Sequence, residues 1–397
     1  MLLEFKCSNY KSIKETIDFS MIAGSDRTSI DHLKEFENYK VLPSTIIYGA
    51  NGSGKSNFIN ALEFMCHLVC NSITYQPGQL IFQSIHKLSD KEEPSHYDIQ
   101  FVKNHKRYAY GFSVKDNKIL DEYLYYFPKG RQVKIFERKG ILIKPGDKFK
   151  NAFEISKSIL KENRLFLSCA ANYSNVEVVE EAFLFFKKDI VLYDPKVNNW
   201  TNYSMELMHD NQKMKDSFVN VLQALGTGIK DIKVIYDLSQ DINNTKVKVV
   251  YDQFEIDLTE ESAGIQRLFQ LICPIIEILN NGKILICDEL ETSLHESIIY
   301  QIVELFQYQN KEEFAQLIFT THDTRLLDQL LFRRDQIWFT QLNKERATDL
   351  YSLAEIRNVR KTENLKNGYI SGKYGAIPLL NKQYLDEFKE TNKNSKE

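Results

Sequence analysis

The chain has 397 residues, of which 43% are apolar and 26% charged, and its formal net charge is −3. This is the balance of an ordinary globular protein, with enough chain for one large domain or two smaller ones. No run of 18 or more apolar residues occurs, and residues 1–6 lack the layout of a signal peptide, so we expect neither a membrane span nor secretion. The slightly negative charge also gives no overall electrostatic footprint for nucleic acid.

The six cysteines indicate a reducing compartment, the cytoplasm, because they are scattered and lack the spacing of a disulfide framework. Cys66 and Cys70 have no second pair or histidine cluster nearby, so a zinc site is not expected. Cys273 and Cys287 lie within apolar runs and are predicted to be buried thiols.

Two strand-like runs, Leu2–Cys7 and Thr16–Met21, open the chain. A third, Ser44–Tyr48, leads directly into Gly49-Ala50-Asn51-Gly52-Ser53-Gly54-Lys55-Ser56, which is followed by a helix-like run, Asn57–Met65. The octapeptide fits G-x-x-x-x-G-K-[ST], the phosphate-binding P-loop, and it lies where that loop must lie, between a strand and a helix. The chain is therefore predicted to bind a nucleoside triphosphate.

Each residue type in this loop has a chemical reason. Glycines let the backbone wrap closely, so that N–H groups point inward at the β-phosphate. Lys55 adds a positive charge for the β- and γ-phosphates, the Ser56 hydroxyl is placed to ligate Mg²⁺, and the positive end of the following helix favours an anion. The residues predicted to hold the nucleotide here are Asn51, Gly52, Ser53, Gly54, Lys55, Ser56 and Asn57.

The stretch from Tyr97 to about Ile143 alternates polar residues with β-branched and aromatic ones. It predicts antiparallel hairpins with turns at Asn104-His105 and Asp116-Asn117. The densest basic segment of the chain, Lys129–Lys150, overlaps this stretch. We favour a solvated strand face over a nucleic-acid groove for these lysines and arginines.

Residues from Ser156 to Leu225 follow a helical period, and strand-like runs return at Ile232–Tyr236 and Lys246–Tyr251. After that, helix and strand alternate. The predicted elements are a helix at 265–280, a strand at Lys283–Cys287, a helix at Ser297–Gln307, a strand at Leu317–Thr320, a helix at Arg325–Leu331 and a strand at Gln336–Phe339. Apolar strands that alternate with helices predict a parallel sheet covered on both faces.

One of these apolar strands, Ile284–Cys287, ends in two acids, Asp288 and Glu289. In a chain that also has a P-loop, this pattern indicates a Walker B element. Asp288 is predicted to hold Mg²⁺ through water, as a second metal-binding residue beside Ser56, and Glu289 to polarise the attacking water.

Two further elements extend the predicted site. Ser262 and Gly264 stand at the start of a helix, one helix before the Walker B strand, where a hydroxyl and a free backbone N–H suit a γ-phosphate. His322 follows the strand-like run after Walker B, where it would contact the γ-phosphate. Each has a plain structural alternative, an N-cap or a strand-end histidine, but their order along the chain favours function. The predicted catalytic residues are Lys55, Glu289 and His322.

This order of motifs resembles that of ABC/SMC-superfamily ATPases, in which the P-loop is followed by a signature, Walker B, a D-loop and a switch histidine. Ser262–Gly264 occupies the signature position, Ser293-Leu294-His295 the D-loop position and His322 the switch position. The opening Phe5–Ile13 is similar to the start of RecF, SMC and OLD-like ATPases. The closing Asn367–Pro378 resembles the tail of a bacterial subgroup, the RloA/AbiLi-like AAA family ATPases.

The resemblance covers nearly the whole chain, with departures. Ala263 stands where classical transporters have glycine, no sustained heptads or long coiled-coil arm are present, and we expect no fused Toprim nuclease. The sequence does not fix the glutamine of the Q-loop, and we favour Gln83. The candidates are Gln76, Gln79, Gln83 and Gln100.

The resemblance implies an ATPase that uses ATP and Mg²⁺ and that acts as a homodimer or a higher assembly held together by ATP. Lys55 and Ser56 of one copy, with Ser262 and Gly264 of the other, would contact the same nucleotide. It further implies a cytoplasmic sensor of phage infection that controls a separately encoded nuclease or toxin. The main alternative is a RecF/SMC-like DNA-repair ATPase that binds DNA across the dimer; a transporter subunit and a small-molecule kinase rank below it.

The predicted fold class is α/β: an ABC-type ATPase head with a mixed β-sheet flanked by helices, an antiparallel β subdomain and a helical insert. The expected divisions are an N-terminal ATPase lobe with the P-loop and hairpins (1–150), a helical insert (151–228), a C-terminal lobe with the signature, Walker B, D-loop and switch histidine (229–385), and a frayed polar tail (386–397).

Overall fold

The computed structural model describes residues 1–26, 30–197, 199–209, 211–235, 246–310, 312–360 and 363–378, and the predicted tail at 386–397 lies outside these ranges. The strands are β1 (Leu2–Ser8), β2 (Ile17–Ser20), β3 (Lys34–Phe36), β4 (Tyr39–Val41), β5 (Ser44–Gly49), β6 (Ser95–Lys103), β7 (Lys106–Lys115), β8 (Lys118–Phe127), β9 (Val133–Lys139), β10 (Leu142–Pro145), β11 (Ile190–Tyr193), β12 (Asp231–Ile235), β13 (Lys246–Val250), β14 (Glu255–Asp257), β15 (Ile284–Cys287), β16 (Gln316–Thr320), β17 (Ile337–Leu342) and β18 (Thr348–Ser352). The helices are α1 (Lys55–Asn71), α2 (Glu154–Ser158), α3 (Phe166–Tyr173), α4 (Glu177–Leu184), α5 (Thr201–Met208), α6 (Gln212–Ala224), α7 (Ala263–Asn280), α8 (Glu296–Gln307) and α9 (Leu365–Ile370). Within the described ranges, none of the helices is long and apolar enough to cross a membrane.

A six-stranded sheet forms the centre of the molecule, in the order β11-β15-β16-β5-β17-β18. All neighbours are parallel except β17 and β18. Every residue of β5, β15 and β16 is buried, which explains why these strands are continuously apolar rather than alternating. Ile284 and Ile286 face the core cluster that contains α1, whereas Leu285 and Cys287 face α7 and α8. Helices therefore cover both faces of the sheet, as predicted.

A second sheet has seven antiparallel strands in the order β10-β9-β8-β7-β6-β1-β2. The predicted hairpin turns are confirmed: Asn104, His105, Asp116 and Asn117 all have positive φ values, between 48° and 64°. Two adjacent residues with positive φ are the geometry of the tight turn that matches the twist of paired strands. The predicted α/β class, with a mixed sheet and an antiparallel β subdomain, is therefore confirmed.

Part of the predicted helical insert is in fact a strand of the central sheet. β11 lies within 151–228 and pairs in parallel with β15, with Ile190 opposite Ile284 and Tyr193 opposite Cys287. The helical period expected from Ser156 to Leu225 is therefore wrong at this point, because the helix ends in a one-turn π-helix at Phe185–Asp189 and the next four residues pair with a strand almost a hundred residues away. Helices α2 to α6 account for most of the remaining insert.

The helix expected at Arg325–Leu331 is also wrong. The chain makes only a 3₁₀ turn, Thr324–Leu326, in which the Asp323 carboxylate accepts hydrogen bonds from the backbone N–H and the guanidinium of Arg325. Leu327 and Leu331 are both buried in the core, so the spacing of these apolar residues reflects their burial and not a helix. A short aspartate-capped turn competes with helix formation in this way.

Candidate nucleotide site

A cavity of about 380 Å³ opens where the carboxyl ends of β5 and β15 meet the start of α1. It lies at the edge where parallel sheets of this kind bind ligands. Most residues predicted from two distant parts of the sequence meet here. The lining residues are Asn51, Gly52, Gly54, Lys55, Ser56, Asn57, Glu289 and His322.

The P-loop rests on the two C-terminal strands of the central sheet. Gly52 and Gly54 have φ values of 76° and 109°, a left-handed region that glycine adopts without strain. The Ser53 side chain is buried and hydrogen-bonds to Thr340 at 2.6 Å, while Thr348 donates to the Ser53 carbonyl at 2.9 Å. Ser53 thus braces the loop from beneath and does not line the cavity, although it was predicted among the nucleotide-binding residues.

Lys55 is buried and folded back on the loop, with its ammonium donating to the carbonyls of Gly49 at 2.8 Å and Ala50 at 3.3 Å. Burial lowers the pKa of Lys55, against the opposing effect of the acids Asp288 and Glu289. A lysine held by carbonyl oxygens keeps a desolvated positive charge available for an anion that offers better acceptors.

Two oxygen ligands predicted for a metal lie side by side. The Ser56 hydroxyl donates to one carboxylate oxygen of Asp288 at 2.7 Å, and Thr320 donates to the other. A hydroxyl next to a carboxylate suits Mg²⁺, which takes one or two protein ligands and completes its shell with phosphate oxygens and water. The residues present therefore fit Mg²⁺. In the described ranges, no group of three or more His, Cys, Asp or Glu residues is placed to hold a metal ion.

Glu289 and His322 are held by the backbone and by neighbouring strands. Glu289 has a φ of 50°, and its N–H donates to Thr320 Oγ1 at 2.8 Å. The His322 N–H donates to the Glu291 carboxylate at 2.6 Å. Burial, and then the charge of Lys55, lower the pKa of His322, so its ring is neutral near pH 7 and can donate to a phosphate oxygen with one nitrogen.

Ser262 and Gly264 lie outside this cavity. Ser262 caps α7, where its hydroxyl accepts from the Ile265 N–H at 3.3 Å. Gly264 lies next to the Ser293 carbonyl, so the signature and D-loop positions are neighbours. Ser262 is exposed, and α7 is an 18-residue helix whose positive end points outward at this place. The structure thus does not bring these two residues to the P-loop of the same chain.

None of the four candidate glutamines lines the cavity. Gln83 donates to the Val114 carbonyl at 3.4 Å and Gln100 donates to the Glu4 carboxylate at 2.7 Å. Both acceptors lie on strands of the antiparallel sheet. The loop that does reach Glu289 follows β11, and its Lys196 pairs with the Glu289 carboxylate at 2.7 Å. The sequence carried a signal for this loop, since Ile190–Tyr193 is an apolar run that ends in a polar turn, as the Walker B strand does.

A second cavity, of about 430 Å³, shares Gly52 and Asn57 with the first. Its other lining residues include three cations, Lys11, Lys87 and Arg346. This space adjoins the P-loop on the side of the antiparallel sheet's first hairpin, where the Lys11 N–H donates to the Ser84 carbonyl at 2.7 Å. The two cavities together offer more room than phosphates alone require.

The fold and the cavity define a P-loop nucleotide-binding protein. Residues 44–328 match the protein-family model described as "AAA domain, putative AbiEii toxin, Type IV TA system", and the chain belongs to this AAA family. No curated protein matches the chain.

Three solved structures are similar to the chain over most of their length. One is an SMC head bound to the C-winged helix domain of ScpA, with 13% identity, 88% of this chain and 97% of that chain covered, and a TM-score of 0.48. The SMC head domain from Thermotoga maritima has 14% identity, coverage of 88% and 98%, and a TM-score of 0.43. An Smc head with an extended coiled coil bound to the C-terminal domain of ScpA, derived from Pyrococcus furiosus, has 11% identity, coverage of 89% and 96%, and a TM-score of 0.42. At these scores the similarity carries no inference about function.

Proposed function

We propose that the protein binds and hydrolyses ATP with Mg²⁺, and that two copies close around the nucleotides. One observation carries this proposal: the P-loop, Glu289 and His322 line one cavity, Asp288 accepts a hydrogen bond from the lining residue Ser56, and the exposed Ser262 end of α7 stays outside. The signature residues Ser262 and Gly264 are absent from the cavity of their own chain, so a second copy that supplies them would complete the site.

Each cavity residue then has a defined task. Lys55 exchanges its two carbonyl partners for β- and γ-phosphate oxygens, and Ser56 and Asp288 hold Mg²⁺, which neutralises phosphate charge when bound. Glu289 orients the attacking water and accepts its proton. His322, neutral near pH 7, donates to the γ-phosphate, and the Glu291 carboxylate holds its backbone in place.

The second copy would contribute Ser262 and Gly264. The hydroxyl of Ser262 and the free N–H groups at the start of α7 lie at the positive end of a long helix, which favours a γ-phosphate. Because the nucleotide then contacts both copies, it binds the closed dimer more tightly than the open monomer and shifts the population towards it. Hydrolysis by Glu289 would reset the dimer.

For its role in the cell, we propose a cytoplasmic sensor that controls a separately encoded effector, a nuclease or toxin, in defence against phage. The support is associational: the family description names a toxin of a type IV toxin–antitoxin system, and Asn367–Pro378 resembles the tail of RloA/AbiLi-like proteins. We propose that the chain divides into two ATPase lobes, 1–150 and 229–385, with an insert between them.

A DNA clamp ranks second. Its strongest sequence feature is the basic segment Lys129–Lys150, but Lys134 pairs with Glu137 at 3.0 Å and Lys150 with Asp147 at 2.9 Å. Lysines that are already paired with neighbouring carboxylates present less free charge to a phosphate backbone. DNA binding that depends on ATP and falls steeply with salt would favour this alternative.

The deciding experiment is the molecular mass in solution with ATP and Mg²⁺. We expect Glu289→Gln to accumulate as a dimer, because it binds ATP without resetting, and Ser262→Arg to stay monomeric while still binding ATP through its own P-loop. Ser158→Arg, at an exposed helix end elsewhere, is the matched control and should dimerise as the unmodified site does. A Glu289→Gln protein that remains monomeric at saturating ATP would overturn the dimer.

A further inference from the structure

The loop after β11 brings a lysine to the proposed catalytic carboxylate. Lys196 Nζ lies 2.7 Å from Glu289 Oε1, with side-chain exposures of 58% and 27%. The Lys196 N–H donates to the Asp194 carboxylate at 2.8 Å, a local turn that aims the lysine away from the strand. The tasks proposed above for Lys55, Ser56, Asp288, Glu289 and His322 do not involve this ion pair.

The sheet topology enforces this juxtaposition. β11 and β15 are parallel and in register, with Tyr193 opposite Cys287, and the Asp288 N–H donates to the Tyr193 carbonyl at 3.1 Å. The carboxyl ends of both strands therefore meet at the same edge, and the loops that follow carry Lys196 and Glu289 side by side. Lys196 lies near enough to Lys55 for its charge to act on that ammonium.

The pair has a chemical consequence. A carboxylate bonded to an ammonium has one acceptor site occupied and is less able to orient a water molecule or take its proton. Glu289 is therefore a better acceptor for the water and its proton once Lys196 has left it. The ion pair is half-exposed, so it contributes little to the stability of the protein. The lysine ammonium is carried on a flexible four-carbon stem and can therefore exchange partners.

We propose that Lys196 reads the γ-phosphate: it is paired with Glu289 when the terminal phosphate is absent and moves to that phosphate when ATP binds, which frees Glu289. The inference rests on the proposed ATPase function and deepens it. ADP lacks the group that competes for the ammonium, so it leaves the pair intact. Lys196 then distinguishes ATP from ADP and makes Glu289 available only in the ATP state.

Calorimetric titration with Mg²⁺ and either ADP or a non-hydrolysable β,γ-imido analogue of ATP tests the proposal. Lys196→Ala should weaken binding of the analogue about tenfold, the loss of one charge-assisted hydrogen bond, and binding of ADP less than about twofold. Lys196→Arg should retain the discrimination. Lys188→Ala, an exposed lysine just before β11, is the control and should leave both affinities unchanged.

Equal losses for the two nucleotides, or no loss for the analogue, would overturn the role of Lys196. A wild-type protein that binds neither nucleotide would instead overturn the proposed function, so the two failures are distinguishable. A double-mutant cycle adds a second criterion. Glu289→Gln should tighten binding of the analogue because no pair has to break, and this gain should shrink in the Lys196→Ala background; an undiminished gain contradicts the exchange.

Discussion

Gly54 occupies a position where both the backbone and its neighbours exclude a side chain. Its φ is 109°, and a Cβ atom there would lie 2.0 Å from the Thr348 hydroxyl and 2.9 Å from the Thr348 Cβ. Gly52, with a φ of 76°, has nothing within 4 Å of its own Cβ position. A side chain at Gly52 would therefore meet only backbone strain, whereas a side chain at Gly54 would meet both backbone strain and a steric clash.

We predict that Gly54→Ala weakens binding of the β,γ-imido analogue roughly tenfold or more, because left-handed strain and a clash with a rigid strand add together. Gly52→Ala carries only the strain and should weaken binding to a smaller extent. Calorimetric titration checks both. Equal losses in the two variants would show that Thr348 does not hold the loop in its binding geometry.

At the scale of elements, a fully buried ion pair joins the hairpin sheet to α3. Arg138 and Glu122 lie 3.1 Å apart with no side-chain exposure. Glu122 also accepts from the N–H groups of Phe166 and Leu167 in the first turn of α3 at 2.6 and 2.8 Å, and from the Tyr110 hydroxyl at 3.0 Å. The Glu122 carboxylate thus balances the positive charge of the buried Arg138 guanidinium and also the partial positive charge at the start of α3.

We predict that Glu122→Gln lowers the free energy of unfolding by about 3–5 kcal/mol, because it leaves the Arg138 charge buried without its partner. Glu154→Gln, which removes the exposed partner of Lys157, is the control and should change stability by less than about 0.5 kcal/mol. Urea unfolding followed by circular dichroism measures both. Similar costs for the two variants would contradict the structural role of the buried pair.

Over the whole molecule, one glutamine connects the two large sheets. Gln316, on β16, is fully buried; its carbonyl oxygen accepts from the Leu2 N–H at 2.6 Å, and its amide donates to the carbonyls of Leu2 at 3.0 Å and Leu42 at 3.2 Å. The side chain therefore satisfies backbone groups of β1, in the antiparallel sheet, from a strand of the central sheet.

We predict that Gln316→Met, which keeps the volume but removes these three bonds, destabilises the protein by roughly 3 kcal/mol, since buried backbone groups are left unpaired. It should also raise hydrogen exchange in β1 relative to β5. Gln301→Met, on the exposed face of α8, is the control and should do neither. Unchanged exchange in β1 would mean that the two sheets hold together without this contact.

The main parts of the proposed ATPase site could be predicted from the sequence. The P-loop, the acids after β15 and the hairpin turns are local patterns, in which a few adjacent residues with the right spacing specify a turn, a strand end or a helix start. Their meeting in one cavity followed from the parallel alternation of strands and helices. The Q-loop glutamine and the proposed boundaries 150/151 and 228/229 had no such local pattern, and the boundaries stay predictions.

The sequence by itself therefore determined the P-loop motif, the two acids that follow β15, the antiparallel hairpins and the α/β class, because each depends on residues that are neighbours in the chain. Only the tertiary structure decided that β11 joins the central sheet and places Lys196 on Glu289, 93 residues away, and that Thr348 supports the P-loop from 295 residues beyond Ser53. Such contacts join segments that are far apart in the chain, and no periodicity within either segment encodes which partner it meets.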